Sequence, residues 1–333
     1  MLTKILLSAL ATVTLYAAEV NVYSHRHYPS DEQLFKRFTA KTGIKINLIK
    51  AGSDELISRL EKEGKNSPAD VLITVDAARL HIAKEKGLLS PLKSAVLEAN
   101  IPPHLRDKEG YWYALTKRAR VFVYNKETFN PAKLSTYEAL ATHEFKGKIL
   151  VQSSNNVYNQ SLLASLIVHD GETEASKWAR GIVANMARKP SGKDIDQIRA
   201  VAAGVGDVAI INTYYLGQLV SSKRPSDQAA GEMVAVYFPN QKTTGTHINV
   251  SGAGIVKYSK HRPEAQQFIE FLSSPEAQEV FAEVNFEYPV NPKVKASKLL
   301  RSWGTFKEDD TELYKLGEHN AQAVKIFDKS GWN

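Results

Sequence analysis

Gly206-Asp-Val-Ala-Ile-Ile-Asn-Thr-Tyr-Tyr-Leu-Gly-Gln-Leu219 changes character halfway along. Val208 to Asn212 is a short apolar run of the kind that forms a strand buried on both faces. Thr213 has the chemistry of a helix N-cap, and Leu216, Leu219 and Val220 supply the apolar positions of a helix behind it. Tyr214 and Tyr215 therefore fall on a strand-to-helix turn. Within a strand, adjacent side chains point to opposite faces; at such a turn the alternation breaks, and both hydroxyls can address one point. Open α/β sheets also bind ligands at the carboxyl ends of their strands. A tyrosine pair alone is ordinary packing, so its weight comes from the rest of the chain.

The chain has 333 residues, 43% of them apolar and 24% charged, which suits a globular protein of two lobes rather than a disordered or fibrous one. Residues 1–18 carry one lysine, a short apolar run and then small residues. They are expected to be an export signal cleaved after Ala17 or Ala18, too short to span a membrane with the right flanks. The location expected from it is the periplasm. The sequence has no cysteine, which removes disulfides, thiolate ligands and a lipid anchor from consideration. Loss of Lys4 with the signal would lower the formal charge from +7 to +6. The lysines are scattered singly, a poor pattern for nucleic acid and a better one for mild attraction of anionic ligand complexes.

Strands are expected over 19–24, 44–49 and 71–75, with helices over 31–42, 53–63 and 77–86, capped by Ser30, Ser53 and Asp76 and stopped by glycines. That rhythm predicts parallel strands with right-handed crossovers. The segment 110–126 reads as one extended crossing strand or a strand pair. The pattern then restarts: a helix near 136–142, a strand over 148–152, a loop over 153–159, and helices over 160–169, 173–186 and 194–203. After the tyrosine pair come strands over 233–238 and 248–256, helices opened by Pro263 and Pro275, and a last helix over 311–327. The expected fold is α/β with two lobes, each a mixed sheet flanked by helices, hinged on extended crossing segments. The first lobe is expected to hold 19–119 and 244–294, the second 120–243 and 295–333.

Three of these strand-to-helix turns carry tyrosines: Tyr28 with His27 beside it, Tyr158, and the pair Tyr214 and Tyr215. Tyr23, Tyr124 and Tyr237 fall inside strands and read as structural. Phenolate is a hard anionic donor with a free pKa of about 10, so several are deprotonated together only by a strongly polarising cation. Ferric iron fits; Zn²⁺ prefers Cys, His and carboxylate, and Ca²⁺ wants many carboxylate or carbonyl oxygens. Four phenolates on Fe³⁺ leave −1, so a nearby cation is expected: Arg26, Arg118 or Arg120. His27 either coordinates or stands beside the metal, and Arg118 either serves the site or is a paired strand residue. Asp54, Glu55 and His247 are expected as caps or in solvent, and His25, His104 and His143 at the surface.

At this point a family resemblance becomes specific. Val22-Tyr-Ser-His-Arg-His-Tyr28, Thr42-Gly-Ile-Lys-Ile46, Pro68-Ala-Asp-Val-Leu-Ile-Thr74, Arg118-Ala-Arg-Val-Phe-Val-Tyr-Asn-Lys126 and the tyrosine-pair stretch resemble the periplasmic ferric-ion-binding proteins. These are the solute-binding components of iron ABC importers, with a transferrin-like two-lobe fold, and the resemblance covers essentially the whole mature chain. It implies His27, Tyr28, Tyr158, Tyr214 and Tyr215 as metal ligands with Arg118 behind them. It also implies Fe³⁺ as transported ligand, an inner-membrane permease with its ATPase as partners, and a monomer. One departure stands out: some members place a glutamate ligand where this chain has Val75. Tyr28 and Tyr158 instead resemble the tyrosine-rich branch, in which a synergistic anion is often unnecessary.

Two other classes remain open at this stage. A two-lobe binder of a small anion or organic solute would aim Arg, Ser and backbone amides at its ligand, with the tyrosines as walls. An enzyme would need machinery that the sequence lacks, since there is no Gly-x-Ser-x-Gly, no His-Glu-x-x-His and no cysteine nucleophile. An iron–phenolate colour separates the first reading from both.

Overall fold

The computed structural model describes residues 18–333, so the export signal expected over 1–18 lies, apart from Ala18, outside the described residues. The chain opens with strand β1 (Glu19–Ser24), helix α1 (Pro29–Thr42), strand β2 (Lys45–Lys50), helix α2 (Ser53–Glu63), strand β3 (Val71–Thr74) and helix α3 (Ala77–Glu85). Strand β1 lies between β2 and β3 and is parallel to both, the arrangement expected of a β-α-β-α-β run. Gly43 ends α1 in the left-handed region, at φ 75°. Short elements β4 (Leu89–Ser90) and α4 (Ala95–Asn100) lead into β5 (Tyr113–Asn125), a single crossing strand.

The second half runs through β6 (Ile149–Leu150), the long helix α5 (Val157–Asn185), α6 (Asp194–Ala202), β7 (Val208–Asn212), α7 (Thr213–Val220), α8 (Pro225–Met233) and β8 (Val234–Tyr237). Then follow β9 (Ile248–Val256), α9 (Arg262–Ser273), α10 (Pro275–Asn285), β10 (Tyr288–Pro289), α11 (Lys298–Ser302), α12 (Tyr314–Glu318) and α13 (Asn320–Ser330). Gly171, at φ 82° and ψ 166°, breaks the helical path of α5 where two helices are expected. No described helix is long and apolar enough to cross a membrane.

Two strands tie the lobes together. The first half of β5, Tyr113 to Ala119, pairs antiparallel with β9, while its second half, Arg120 to Tyr124, pairs antiparallel with β7. Strand β9 continues on its other edge antiparallel to β3, which makes the sheet mixed, in the order β2-β1-β3-β9-β5-β7-β6. The register of β5 against β9 slips between Ala114 and Thr116. Such a bulge bends a strand, here one step before the residues that reach the cleft. On the first side Phe38 packs edge-on against Phe268 over Val20 and Val71; on the second, Val121, Val123 and Ile211 meet Leu216 and Leu219. Each such fully buried side chain stabilises the fold by about 1.5–3 kcal/mol.

Several boundaries differ from the sequence expectation. The N-cap of α1 is Tyr28 rather than Ser30, because Asp31 turns its carboxylate back onto the Tyr28 N–H, at 3.1 Å. Asn212, not Thr213, caps α7, and Gly52, not Ser53, precedes α2. The loop expected over 153–159 ends early: Asn156 accepts from the N–H groups of Tyr158 and Asn159 and starts α5 there. The helix expected near 136–142 is a 3-10 turn, Glu138–Ala141, and the last expected helix divides at His319.

Candidate metal centre

Four tyrosines reach the cleft from three helix N-termini. Tyr28 is the N-cap of α1, Tyr158 the second residue of α5, and Tyr214 and Tyr215 the second and third of α7. In each case the local reason is the same, a buried strand or turn handing over to a capped helix. The positive ends of three helix dipoles thereby surround one point, which favours negative charge there. The Tyr28 and Tyr158 hydroxyls each lie 3.2 Å from the Tyr214 hydroxyl. The Tyr215 ring stacks against Tyr214 with centroids 4.2 Å apart and is half-buried.

His27 stands outside this group. Its ring is exposed and stacks on the face of Tyr28 at 5.1 Å, while its Nδ1 donates to the His25 carbonyl at 3.3 Å. Val75 is buried and apolar, next to the N-terminus of α3.

Three arginines lie behind the phenols, each almost fully buried. The Arg26 guanidinium sits over the Tyr28 ring at 4.8 Å, paired with Asp31 at 2.9 Å and with Glu287 at 2.9 Å. Arg120 is held by Asp194 and by Asn159 at 2.7 Å. Arg118 sits over the Tyr158 ring at 5.4 Å and is the least satisfied of the three. Its Nη1 donates to Ser251 Oγ at 2.9 Å, its carboxylate neighbour Glu287 is 3.9 Å away, and its Nε and Nη2 have no protein partner. A buried cation with two free donors stabilises phenolate in front of it.

Burial is the main force on the phenols, and it drives the pKa of Tyr28, Tyr214 and Tyr215 up. Mutual repulsion of their ionised forms adds to the effect, while Arg26, Arg118 and Arg120 work against it. Burial thus favours the neutral form of Tyr28, Tyr214 and Tyr215, and a cation bound by them must displace their protons. Glu287 stays charged: burial would raise its pKa, but Arg26, and to a lesser degree Arg118, hold it below the ordinary carboxylate range.

Sequence reasoning missed several of these partners. A tyrosine gives no capping-box signature, so Asp31 was not readable as a partner of Tyr28, and nothing local marks Asp194, Ser251 or Glu287. Two histidines also depart from expectation. His25 is half-buried rather than at the surface, bonded through Nδ1 to Ser53 Oγ, and burial with His27 nearby lowers its pKa to about 4. His247 is neither a cap nor solvated; it is buried with Nε2 unpartnered, and burial lowers its pKa to about 4. Asp54 is exposed and pairs with Arg79 at 3.0 Å. Among the described residues no group of three or more His, Cys, Asp or Glu is placed to hold a metal, so a metal here would have to rely on phenols.

Comparison with known proteins points the same way. The chain is 51% identical over 314 residues to iron uptake protein A1 of Synechocystis sp., spanning 94% of this chain and 87% of that protein. It is similar to a Trichodesmium protein solved in complex with iron and citrate ligands, with TM-score 0.90 and 49% identity, over 95% of this chain and all of that one. The ferric binding protein from Campylobacter jejuni aligns with TM-score 0.92 and 47% identity, over 94% of this chain and all of that one. A profile described as bacterial extracellular solute-binding protein matches residues 66–307. The chain thus belongs to the bacterial extracellular solute-binding protein family.

Proposed function

We propose that the protein captures ferric iron in the cleft between its lobes through Tyr28, Tyr158, Tyr214 and Tyr215, with His27 at the rim. It then delivers the iron to an inner-membrane ABC permease and its ATPase. The observation that carries this reading is the convergence of phenol hydroxyls, 3.2 Å apart, at three helix N-termini in front of buried arginines. No carboxylate or imidazole cluster competes with them among the described residues, and hard phenolate oxygens suit a hard trivalent ion. The names of similar proteins, an iron uptake protein and a ferric binding protein, support the same ligand. The role is transport without catalysis, by a monomer acting in the periplasm. Iron arrives as cargo, and the four phenolates supply enough charge to bind it without a separate anion.

The lobes meet where β5 changes partner between Ala119 and Arg120. That switch supports a division into 19–119 with 244–294 and 120–243 with 295–333. Bending of β5 and β9 would then bring Tyr28 toward the other three phenols as the metal binds.

The test is a visible charge-transfer band on adding Fe³⁺ to the purified protein. Tyr214→Phe with Tyr215→Phe keeps ring volume and removes only the hydroxyls, so the fold should survive while the band disappears. A double variant that kept the parent band would overturn the ligand assignment.

A further inference from the structure

Glu287 occupies an unusual position beneath this cleft. It is fully buried, on the turn between α10 and β10, and touches no phenol hydroxyl. Its carboxylate accepts from Arg26 Nη1 at 3.2 Å and Nη2 at 2.9 Å, from Thr116 Oγ1 at 2.8 Å and from Asn285 Nδ2 at 2.7 Å. Arg118 Nη1 lies 3.9 Å away. Ser251 Oγ joins the same two arginines, accepting from Arg26 at 2.8 Å and from Arg118 at 2.9 Å. Each guanidinium faces one phenol ring, Arg26 that of Tyr28 and Arg118 that of Tyr158. Glu287 therefore holds, through two arginines, two rings that stand on different helices.

Its charge has a second consequence. The buried cations Arg26, Arg118 and Arg120 are matched by the buried anions Asp31, Asp194 and Glu287, three against three. Within this directly paired group the charges cancel, and Glu287 is one of its three anions; Asp76 is a further buried carboxylate nearby, held by Ser161 Oγ and Asn249 Nδ2. Without Glu287, the charge behind the rings would be one unit more positive. That change would weigh more heavily against a trivalent ion than against a divalent one, because the difference between them is one unit of positive charge at the same place.

Building on the iron reading above, we propose that Glu287 is a positioning residue that sets the preference of the site for Fe³⁺ over Fe²⁺. The variant Glu287→Gln keeps the shape and most of the hydrogen bonds and removes the charge. In spectroelectrochemical titration of the iron-loaded protein, followed through the charge-transfer band, its potential moves positive. The ratio of Fe³⁺ to Fe²⁺ affinity falls by about tenfold, the effect one uncompensated neighbouring charge commonly has on an ionisation equilibrium. Adding Ser251→Asp to Glu287→Gln returns a carboxylate between the same two arginines and restores the ratio toward the parent value.

A loaded Glu287→Gln variant with the parent ratio overturns the inference, and so does a Ser251→Asp double variant displaced further than the single one. Where Glu287→Gln alone fails to fold, a displaced ratio in the double variant refutes the inference, and Arg118→Gln carries the positive test. Arg118→Gln, with Glu287 intact, removes a positive charge and moves the ratio upward; a fall refutes the inference even if neither Glu287 variant folds. The outcomes separate this inference from the iron reading itself. A parent protein with no visible band removes the reading, whereas a normal band with insensitive potentials removes only the role of Glu287.

Discussion

Tyr158 has two guanidiniums near its ring, Arg118 at 5.4 Å and Arg120 at 6.0 Å, and its hydroxyl meets that of Tyr214. On the proposed ligand set, Tyr158 would supply the hard oxygen that Val75, buried and apolar, does not. Tyr158→Phe should leave the other phenols in place and open one coordination position, with Arg118 still offering two unpartnered donors beside it. Iron affinity, measured by competition with a chelator, is expected to fall in plain buffer. Carbonate or citrate should partly restore it, because an anion can then occupy the gap against Arg118. Parent-like affinity with no anion present would make Tyr158 a wall residue. The four tyrosines were legible in the sequence because strand-to-helix turns follow from short-range pattern. Glu287 was not: it lies 261 residues from Arg26 and 171 from Thr116, and only the crossing strands bring them together.

At the level of elements, α7 matters because it carries Tyr214 and Tyr215 and packs closely on the C-terminal end of α10. A Cβ at Gly217 would lie 2.6 Å from both Cβ and Cγ of Phe286, so glycine is required for that approach. Phe286 is itself held at φ 56° as the cap of α10, which limits its freedom to retreat. Gly217→Ala therefore has two effects of opposite sign. Alanine favours the helix by about 1 kcal/mol over glycine, while the clash pushes α7, with its phenols, away from the Tyr28 side. Overpacking of this kind costs about 1–3 kcal/mol, so the expected outcome is urea stability unchanged or lowered together with weaker iron binding and faster release. If affinity and release rate matched the parent, the α7–Phe286 contact would have no part in closing the cleft. Sequence pattern located α7 within one residue, since its apolar spacing is local. It could not show that β9 runs antiparallel to β3, because strand order depends on pairings between residues far apart in the chain.

For the whole molecule the question is which fails first in acid, the metal centre or the fold. Phenols kept neutral by burial must lose protons to bind iron, so affinity falls steadily as pH drops. The fold responds over a different range. His247, with a pKa of about 4 from burial, is neutral in the folded state, while the unfolded chain takes up its proton near 6.5. Its contribution is thus fully present above pH 6.5 and declines as pH falls toward 4. Asp309 has its pKa lowered to about 2; burial opposes the shift, but the His169 hydrogen bond and the nearby His247 outweigh it. Its contribution is present above the ordinary aspartate value and is lost only as pH falls through about 2. The His169 pKa is raised by the same pair, chiefly through the Asp309 hydrogen bond, so that contribution holds throughout the acid range and fades only as pH rises. Between pH 6.5 and 4 the fold therefore gives up part of its stability while the Asp309–His169 tie persists, and bound iron loses its ligands to protons. Parallel titrations of the visible band and the far-UV circular dichroism should show the band gone while the helical signal remains. A band that survived until the helical signal collapsed would mean that the iron is held by donors other than tyrosinate.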